Sequence, residues 1–218
     1  MRNIVLFSGG MDSTVALGLA CWRDGVADTT ALVLSYGQAH INELSFAREI
    51  TSLWGVTSVS AIVDPSPWKL LPLCRGTTQQ DRDTYAMRTG GISDAFLPGR
   101  NVAFLGVALA ICGITGADTV WIGANADDAT GFPDCRAPFL HAWQQMASHA
   151  LARPIHLMAP FVEQSKRQIV ALGHAMAIDF SRTWSCYRPH RRRDLMGVEP
   201  CGRCDACVLR NEALNGTD

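Results

Sequence analysis

Two groups of residues in this chain of 218 amino acids have types and spacings that could do chemistry. The first is a glycine-rich loop at residues 8–13, with the sequence Ser-Gly-Gly-Met-Asp-Ser, directly after an apolar run. The second is a set of four cysteines from residue 186 onward, half of the eight in the chain. The first group has the features of an anion-binding loop, and the second has those of a metal site.

The glycine-rich loop combines several features that favour phosphate binding. Gly9 and Gly10 let the backbone fold closely around an anion and adopt positive φ. The loop leads from a predicted strand into a predicted helix, so free N–H groups and the helix dipole would face that anion. Ser8, Ser13 and Thr14 add hydroxyl donors. The spacing matches neither a Walker A loop nor a Rossmann loop. A plain glycine turn is the alternative, and the complete pattern favours phosphate binding over it.

The cysteines of the tail have the number and spacing to surround one metal ion. Cys201, Cys204 and Cys207 form a C-x-x-C-x-x-C pattern, and Cys186 lies upstream. Four thiolates are a common tetrahedral ligand set for structural Zn²⁺. Iron–sulfur proteins use similar runs, and disulfide pairing is a third interpretation, but nothing else in the sequence indicates redox chemistry. We therefore expect structural zinc.

The segments that would position these groups alternate between strand-like and helix-like patterns. Ser165 and Gln168 form an S-x-x-Q capping box at the start of the last predicted helix. Such alternation predicts an α/β fold, a parallel sheet with helices on both faces. The predicted strands lie at residues 4–7, 31–36, 59–63, 119–123 and 155–158. The predicted helices lie at residues 13–22, 41–53, 101–115 (a buried helix), 137–150 and from 165 onward.

Two parts of the chain depart from this alternation. Residues 65–99 contain several Pro and Gly and no clear period, so we expect an irregular active-site loop there. After about residue 182 the sequence turns to arginines, glycines and cysteines. We therefore predict a main domain over residues 1–182 and a small zinc-binding subdomain over residues 183–218.

Composition excludes several classes of protein. Hydrophobic residues make up 48% of the chain and charged residues 18%, which rules out wholesale disorder. The net charge of −1 argues against a protein that binds nucleic acid over its whole surface. No apolar stretch approaches the ~18–20 residues of a membrane span, and the N terminus lacks the pattern of a signal peptide. We expect a soluble, cytoplasmic protein with no membrane partner.

The glycine-rich loop resembles the pyrophosphate loop (PP-loop) of N-type ATP pyrophosphatases. These enzymes split ATP into AMP and pyrophosphate and adenylate a carboxyl or carbonyl oxygen. The resemblance implies an adenine nucleotide alpha hydrolase-like fold, with Asp12 helping to hold Mg²⁺. It also implies that ATP is bound by the residues at the start of the chain, which are Ser8, Gly9, Gly10, Asp12, Ser13 and Thr14.

Four further stretches extend a resemblance over the whole chain. They are Y-G-Q-x-H at residues 36–40, P-G-R-N at 98–101, P-D-C-R at 133–136 and S-K at 165–166. With the loop and the cysteine tail, this set is similar to the 7-cyano-7-deazaguanine synthases, the QueC family. The resemblance implies that 7-carboxy-7-deazaguanine, ammonia and ATP yield a nitrile through an amide, in two rounds of adenylation on the route to queuosine. We also expect a homodimer.

The resemblance implies catalytic roles for Asp12, Arg100 and Lys166, with Arg100 and Lys166 contacting phosphate or carboxylate. Arg100 lies at a predicted helix start, where its guanidinium can bind such groups bidentately. For Lys166, one of only two lysines, a solvated surface position is the alternative. Cys135 lies in the P-D-C-R stretch, but this chemistry needs no nucleophile, so we interpret Cys135 as packing.

Substrate contacts are expected from Asn101, Asp134, Arg136 and His40. A carboxylate at Asp134 suits the two parallel N–H donors of a deazaguanine edge, although a turn-forming Asp after Pro is equally plausible. His40 either contacts phosphate or substrate, or caps the next helix.

The sequence departs from the family pattern in three places, one of which is the lack of the proline that often follows the isoleucine at Ile92. Ala39 replaces the arginine that precedes the histidine of the Y-G-Q motif in usual members. The segment between the first two tail cysteines is long and basic, and contains Arg188, His190, Arg191, Arg192 and Arg193. We favour a solvated loop over a docking surface for nucleic acid or protein.

These departures leave an alternative function open. A QueC-like ligase could stop at the amide, or join the adenylated deazaguanine to an amine of a protein or other partner. A non-catalytic zinc- and nucleotide-binding module is disfavoured, because the loop, Arg100, Asn101 and Lys166 are all retained.

Overall fold

Five parallel strands form the central sheet of the computed structural model, in the order β3-β2-β1-β4-β5. The structure describes residues 2–36, 41–68, 96–186, 189–191 and 198–216, and only the backbone of residues 41, 42, 190, 191 and 198. The strands of the sheet are β1 (Asn3–Leu6), β2 (Thr29–Ser35), β3 (Thr57–Ile62), β4 (Thr119–Trp121) and β5 (His156–Met158). An antiparallel pair, β6 (His190–Arg191) and β7 (Val198–Glu199), lies in the tail.

The α-helices of the described residues connect the strands or follow them. They are α1 (Met11–Asp24), α2 (Ile41–Trp54), α3 (Arg100–Thr115), α4 (Ala126–Gly131), α5 (Ala137–Ala150), α6 (Lys166–Ala175) and α7 (Asp205–Asn215). No helix within the described ranges is long and apolar enough to cross a membrane.

Helices cover both faces of the sheet. Ile4 of β1 packs in one hydrophobic core with Leu105 of α3. The next residue, Val5, points to the opposite face and packs in a second core with Leu17 of α1 and Ile50 of α2. A strand buried on both faces reads as a continuous apolar run, which is why these strands were recognisable in the sequence. The predicted fold, a parallel sheet with helices on both faces, is confirmed.

The ends of the predicted elements agree with the structure to within two residues, and side-chain polarity accounts for the difference at the start of β2. Strand β2 begins at Thr29, two residues before the predicted start, because the buried Thr29 and Thr30 pair with β1 and β3 although they are not apolar. The Ser165 cap is confirmed: its side chain accepts from the backbone N–H of Gln168, and the Gln168 side chain accepts from Ser165.

The structure differs from the predicted helices in three respects. Helix α3 is not buried on all sides: Leu105 and Cys112 are buried, but Val102 is 52% exposed and Ile114 is 85% exposed. Helix α4 was not predicted because its six residues have no apolar period. Helix α7 was not predicted because it begins inside the cysteine pattern, between Cys204 and Cys207. Of the predicted irregular loop at residues 65–99, residues 69–95 lie outside the described residues.

The tail packs against the sheet domain at several points. Ala213 of α7 shares a hydrophobic cluster with Ile169 of α6. The guanidinium of Arg210 donates to the carbonyl of Phe180 and, at 2.7 Å, to the hydroxyl of Thr183. These contacts place α7 beside the carboxyl end of the sheet. The domain boundary at residue 182 stays a prediction.

The order of strands determines where a ligand can enter. From β1 the chain moves outward to β2 and β3, and it later returns to add β4 and β5 on the other side of β1. In open parallel sheets, ligands bind at the carboxyl ends of the strands where this direction reverses. The glycine-rich loop directly follows β1 and therefore lies at that point.

A pair of glycine substitutions tests the packing between α6 and the segment after it. A Cβ atom on Gly173 would lie 2.3 Å from Cζ of the buried Phe180 and 3.0 Å from Val15. Gly173→Ala should therefore lower the free energy of unfolding by about 1–3 kcal/mol, as overpacking does. In α3, Gly106 has no atom within 4 Å of such a Cβ. Gly106→Ala should stabilise by about 0.5–1 kcal/mol. Chemical denaturation measures both, and shifts of equal sign would contradict the packing described.

Candidate active site

A cavity of about 380 Å³ opens at the carboxyl ends of β1, β2 and β4. The glycine-rich loop forms its floor, and the first turns of α2 and α3 contribute Glu43, Arg100 and Asn101 to its walls. Lys166 enters from the start of α6, and α7 adds residues from the cysteine-rich tail. Both groups of chemically capable residues found in the sequence therefore lie at or beside one cavity.

The glycine-rich loop is held in shape by its own hydroxyl groups. The hydroxyls of Ser8 and Ser13 lie 3.1 Å apart, and the backbone N–H of Gly10 donates to Ser8 at 3.2 Å. The buried Thr14 donates its hydroxyl to the Gly10 carbonyl at 2.7 Å. Ser8, Gly10 and Ser13 line the cavity, whereas Gly9 and Thr14 are not among the described lining residues.

Gly9 is the position where the loop requires a glycine. Its φ is +83°, and a Cβ there would lie 2.8 Å from both the Glu43 carbonyl and the Ala47 amide nitrogen of α2. Gly10 has an extended backbone with φ of −80°, so positive φ occurs at only one of the two glycines expected to adopt it. The Gly9 carbonyl accepts from the backbone N–H of Trp184 at 3.0 Å.

A carboxylate–lysine cluster, comprising Asp12, Asn125, Asp128 and Lys166, lies beside the loop. The Lys166 ammonium is 3.0 Å from Oδ2 of Asp12 and 3.2 Å from Oδ1 of Asp128. The Asn125 amide donates to Asp12 at 3.1 Å and to Asp128 at 2.9 Å. Burial alone would lower the pKa of Lys166, but the two carboxylates raise it above its usual value, so Lys166 stays protonated at neutral pH.

Sequence reasoning missed Asn125 and Asp128. Both follow β4, and the amide of Asn125 also caps α4 by accepting from the backbone N–H of Asp128 at 2.8 Å. The carboxyl ends of parallel strands meet at the same edge of a sheet, so polar residues directly after β4 were a signal that could have found them. The preceding residue of α4, Asp127, accepts from the backbone N–H of Lys166 and joins the start of α6 to this edge.

The carboxylates of this cluster suit a hard cation. Among the described residues, Oδ1 of Asp12 is buried and lacks a hydrogen-bond partner. Burial raises the pKa of Asp12, and the charge of Lys166 opposes that rise. Carboxylate oxygens are the preferred protein ligands of Mg²⁺, so an unpartnered oxygen beside Asp128 fits such an ion.

Of the four residues expected to contact the substrate, the structure places one in the described wall of the cavity. Asn101 lines the cavity. Behind it lies the buried Asp134, whose carboxylate accepts from the backbone N–H of Asn101 at 3.3 Å and so holds the start of α3. Arg136 donates to the carbonyl of Ala129 at 2.8 Å, and neither it nor Asp134 is among the described residues that line the cavity. His40 lies outside the described residues.

Cys135 is buried at the edge of the cavity. Burial and the nearby charges of Asp128 and Asp134 raise the pKa of its thiol to about 12. The thiol therefore stays protonated and is not an activated nucleophile, in agreement with its interpretation as packing.

The four tail cysteines converge on one point. The sulfur atoms of Cys186, Cys201, Cys204 and Cys207 all lie within 4.8 Å of one another. Four thiolates around Zn²⁺ at ~2.3 Å would have similar separations. Backbone N–H groups donate to two of these sulfurs, at 3.2 Å for Cys186 and 3.3 Å for Cys201. The cluster could therefore hold a metal ion.

Trp184 links this cluster to the cavity. Its indole N–H donates to the Cys186 carbonyl at 3.0 Å, and its ring stacks on Phe46 of α2 with centroids 5.2 Å apart. Trp184 and Ser185 also line the cavity. The cysteine cluster therefore adjoins the residues that form part of the cavity wall.

Comparison with known proteins agrees with this geometry. The family model described as "Queuosine biosynthesis protein QueC" matches residues 2–218. A 7-cyano-7-deazaguanine synthase of Anaeromyxobacter sp. (strain Fw109-5) is 37% identical over 98% of this chain and 91% of its own. A protein of the same name from Azoarcus sp. (strain BH72) is 36% identical over 98% of this chain and 92% of its own. Another, from Prochlorococcus marinus (strain MIT 9215), is 33% identical over 96% of this chain and 92% of its own.

Among solved structures, an NMN synthetase from Francisella tularensis matches with a TM-score of 0.49 at 17% identity, over 99% of this chain and 84% of that one. The family assignment rests instead on the family model and the sequence relatives, which span nearly the whole chain. The resemblance found in the loop, the P-G-R-N and P-D-C-R stretches and the cysteine tail is thereby confirmed, and this chain belongs to the QueC family of queuosine biosynthesis proteins.

Proposed function

We propose that this protein is an ATP-dependent carbon–nitrogen ligase that makes 7-cyano-7-deazaguanine from 7-carboxy-7-deazaguanine and ammonia. The observation that carries the proposal is a single cavity lined by the glycine-rich loop, Asp12, Asp128, Lys166 and Arg100. The names of the curated relatives support the choice of reaction.

The chemistry explains why such a cavity is needed. A carboxylate resists attack by ammonia because it is anionic and would have to expel oxide. Adenylation converts one oxygen into a phosphate ester, so that ammonia displaces AMP and forms the amide. A second adenylation, on the amide oxygen, allows loss of AMP and leaves the nitrile. No covalent enzyme intermediate is required, and the protein contributes positioning and charge stabilisation.

The phosphate side of the site is formed by the glycine-rich loop and the two cations. Backbone N–H groups at the start of α1 suit the pyrophosphate end of ATP, because a helix N terminus attracts anions. Lys166 is held at this end by Asp12 and Asp128. Arg100 lines the same cavity from the start of α3. These two cations would offset the charge that develops as pyrophosphate leaves.

Mg²⁺ would be held by the carboxylates of Asp12 and Asp128. The buried, unpartnered Oδ1 of Asp12 supports this assignment. When bound, the ion would neutralise phosphate charge and help to orient the α-phosphorus.

The other side of the cavity suits a flat heterocycle. The rings of Tyr36 and Phe104 lie with centroids 5.2 Å apart, and Phe132 adds a further apolar surface. Asn101 provides an amide beside them. Aromatic walls with one placed polar group are typical of sites that bind planar ligands. Contacts from His40, Asp134 and Arg136 stay predictions.

Zinc is the metal we propose for the cysteine cluster, in a structural role, because all four ligands are thiolates and no position is left for water. The homodimer and the solvated basic segment at residues 188–193 also remain proposals. The alternative ligase, which stops at the amide or modifies a partner, is not favoured by the relatives.

Mass spectrometry of the products from 7-carboxy-7-deazaguanine, ATP and ammonia tests the proposed function. We expect the nitrile, with AMP formed in both rounds. An amide as the final product, or a protein adduct, would support the alternative ligase instead. The absence of any ATP-dependent product would contradict both functions.

Asp12→Asn tests the phosphate side of the site. The change removes one negative charge beside Lys166 and one metal-binding oxygen, so AMP formation should fall by about 10²–10³-fold, as when an electrostatic contact to a transition state is lost. Chromatographic measurement of AMP gives the rate, and the midpoint of thermal unfolding checks the fold. Asp118→Asn is the matched control, because Asp118 lies at the opposite end of β4 and should leave the rate unchanged. A folded Asp12→Asn protein with wild-type AMP formation would refute this role.

Elemental analysis tests the metal proposal. We expect about one zinc ion per chain. Cys204→Ser should lose the ion and lower the unfolding midpoint, because metal binding is coupled to folding. Cys21 of α1 lies outside the cluster, so Cys21→Ser should keep the zinc. Iron with sulfide in the wild type, or a folded wild type without metal, would contradict this expectation.

A further inference from the structure

The proposed reaction removes all three protons from the nitrogen of ammonia. Ammonia carries three N–H bonds and the nitrile nitrogen carries none. Adenylation cannot supply this step, because it activates only the oxygen. The cavity therefore needs a proton acceptor in both rounds, and this requirement rests on the proposed function.

Among the described residues around the cavity, few are suited to accept a proton. Among the described lining residues, the carboxylates are Asp12, Glu43, Asp128 and Asp205. Asp12 and Asp128 are engaged by Lys166. Asp205 is exposed at the start of α7, directly after the metal ligand Cys204. Glu43 is left as a half-buried carboxylate that the proposed phosphate and metal contacts do not use.

The fold places Glu43 firmly beside the glycine-rich loop. Its own carbonyl approaches Gly9 so closely that a Cβ there would lie 2.8 Å away. One turn further along α2, Phe46 stacks on Trp184 of the tail. Helix α2 is therefore fixed against both the loop and the tail, and the Glu43 side chain reaches the cavity from its first turn.

We propose that Glu43 is the general base that accepts protons from the substrate nitrogen in both rounds of the reaction. In the first round, the ammonia nitrogen bonds to the acyl carbon, the carbon–oxygen bond to the adenylyl group breaks, and its electron pair leaves with AMP. Glu43 takes one proton from the nitrogen, which leaves the neutral amide.

The second round needs the base twice. Adenylation of the amide oxygen, with loss of pyrophosphate, leaves a cationic nitrogen that carries two protons. Glu43 takes the first and passes it to solvent. It then takes the second while the electron pair of that N–H bond becomes the third carbon–nitrogen bond. The carbon–oxygen bond breaks at the same time, and its electron pair leaves with AMP.

The electrostatics of the site suit this role. Burial raises the pKa of Glu43 to about 7, and the charge of Arg100 on α3 opposes the rise. A base with a pKa near the working pH can both accept a proton and release it. The other charged or titratable groups of the described cavity wall are Tyr36 after β2, Cys135, Asp205 and Arg210 of α7, and the carboxylate–lysine cluster.

The amide provides the cleanest test, because its conversion to the nitrile requires ATP but no ammonia. The pH dependence of kcat then does not contain the titration of ammonium. A protonated Glu43 cannot accept a proton, so the wild-type rate should fall as the pH drops below about 7. Glu43→Gln should lower kcat by on the order of 10²–10⁴-fold and abolish that acid limb. Exchange of labelled pyrophosphate into ATP should persist, because adenylation does not need the base.

Two further variants separate this role from a structural one. Glu43→Asp keeps a carboxylate and should retain the acid limb at a reduced kcat. Glu49→Gln changes an exposed glutamate on the same helix, whose partner is Arg182, and should leave rate and pH profile unchanged.

The proposal is overturned if Glu43→Gln keeps kcat within about threefold, keeps the acid limb, or loses pyrophosphate exchange together with nitrile formation. If the wild type makes no nitrile from the amide at all, the proposed function itself fails. The two failures are therefore distinguishable.

Discussion

The buried ammonium of Lys166 is the interaction on which the rest of the site depends. It lies between Asp12 at the start of α1 and Asp128 in α4, and so joins the loop after β1 to the segment after β4. Buried charges are costly unless they are paired, and removal of this cation would leave two carboxylates facing each other. The positive charge of Lys166 makes it possible for two carboxylates to lie beside the glycine-rich loop. The same ion pairs hold the loop at the edge of the sheet where the strand order reverses.

The tail lines the candidate active site as well as packing against the sheet domain. Trp184 donates to the Gly9 carbonyl, stacks on Phe46 and donates to Cys186. The loop, helix α2 and the cysteine cluster therefore meet at one residue, which contacts the loop through its backbone N–H and the other two through its indole ring. Arg210 of α7 reaches back to Phe180 and lines the cavity. If the cysteine cluster holds the proposed zinc ion, its loss would disturb the wall of the cavity through these contacts.

The sequence was informative wherever a local rule determines the structure. Apolar runs identified strands that are buried on both faces, the Ser165 cap follows from its spacing to Gln168, and the cysteine spacing predicted the convergence of four sulfurs. The sequence alone did not identify residues whose role depends on the packing of distant segments. Asp128 could be found only through its position after β4, and nothing local shows that Glu43 faces the same cavity as Arg100.

Residues of the matching motifs can also point in different directions although they lie close together. Asn101 and Asp134 belong to two motifs of the family resemblance, yet the first lines the cavity and the second lies buried behind it, holding the start of α3. Arg136, two residues after Asp134, turns to the carbonyls of Ala129 and Thr130. The family resemblance implied that these residues contact the substrate, but the direction of each side chain is determined by its hydrogen bonds.

The proposed function depends on adenylation of the carboxylate of 7-carboxy-7-deazaguanine in this cavity. The most direct measurement is exchange of labelled pyrophosphate into ATP in the presence of 7-carboxy-7-deazaguanine and without ammonia. We expect exchange that requires the carboxylate, because the adenylate forms reversibly before any nitrogen arrives. Formation of ADP and phosphate, or exchange independent of the carboxylate, would contradict the assignment of the glycine-rich loop and of the reaction.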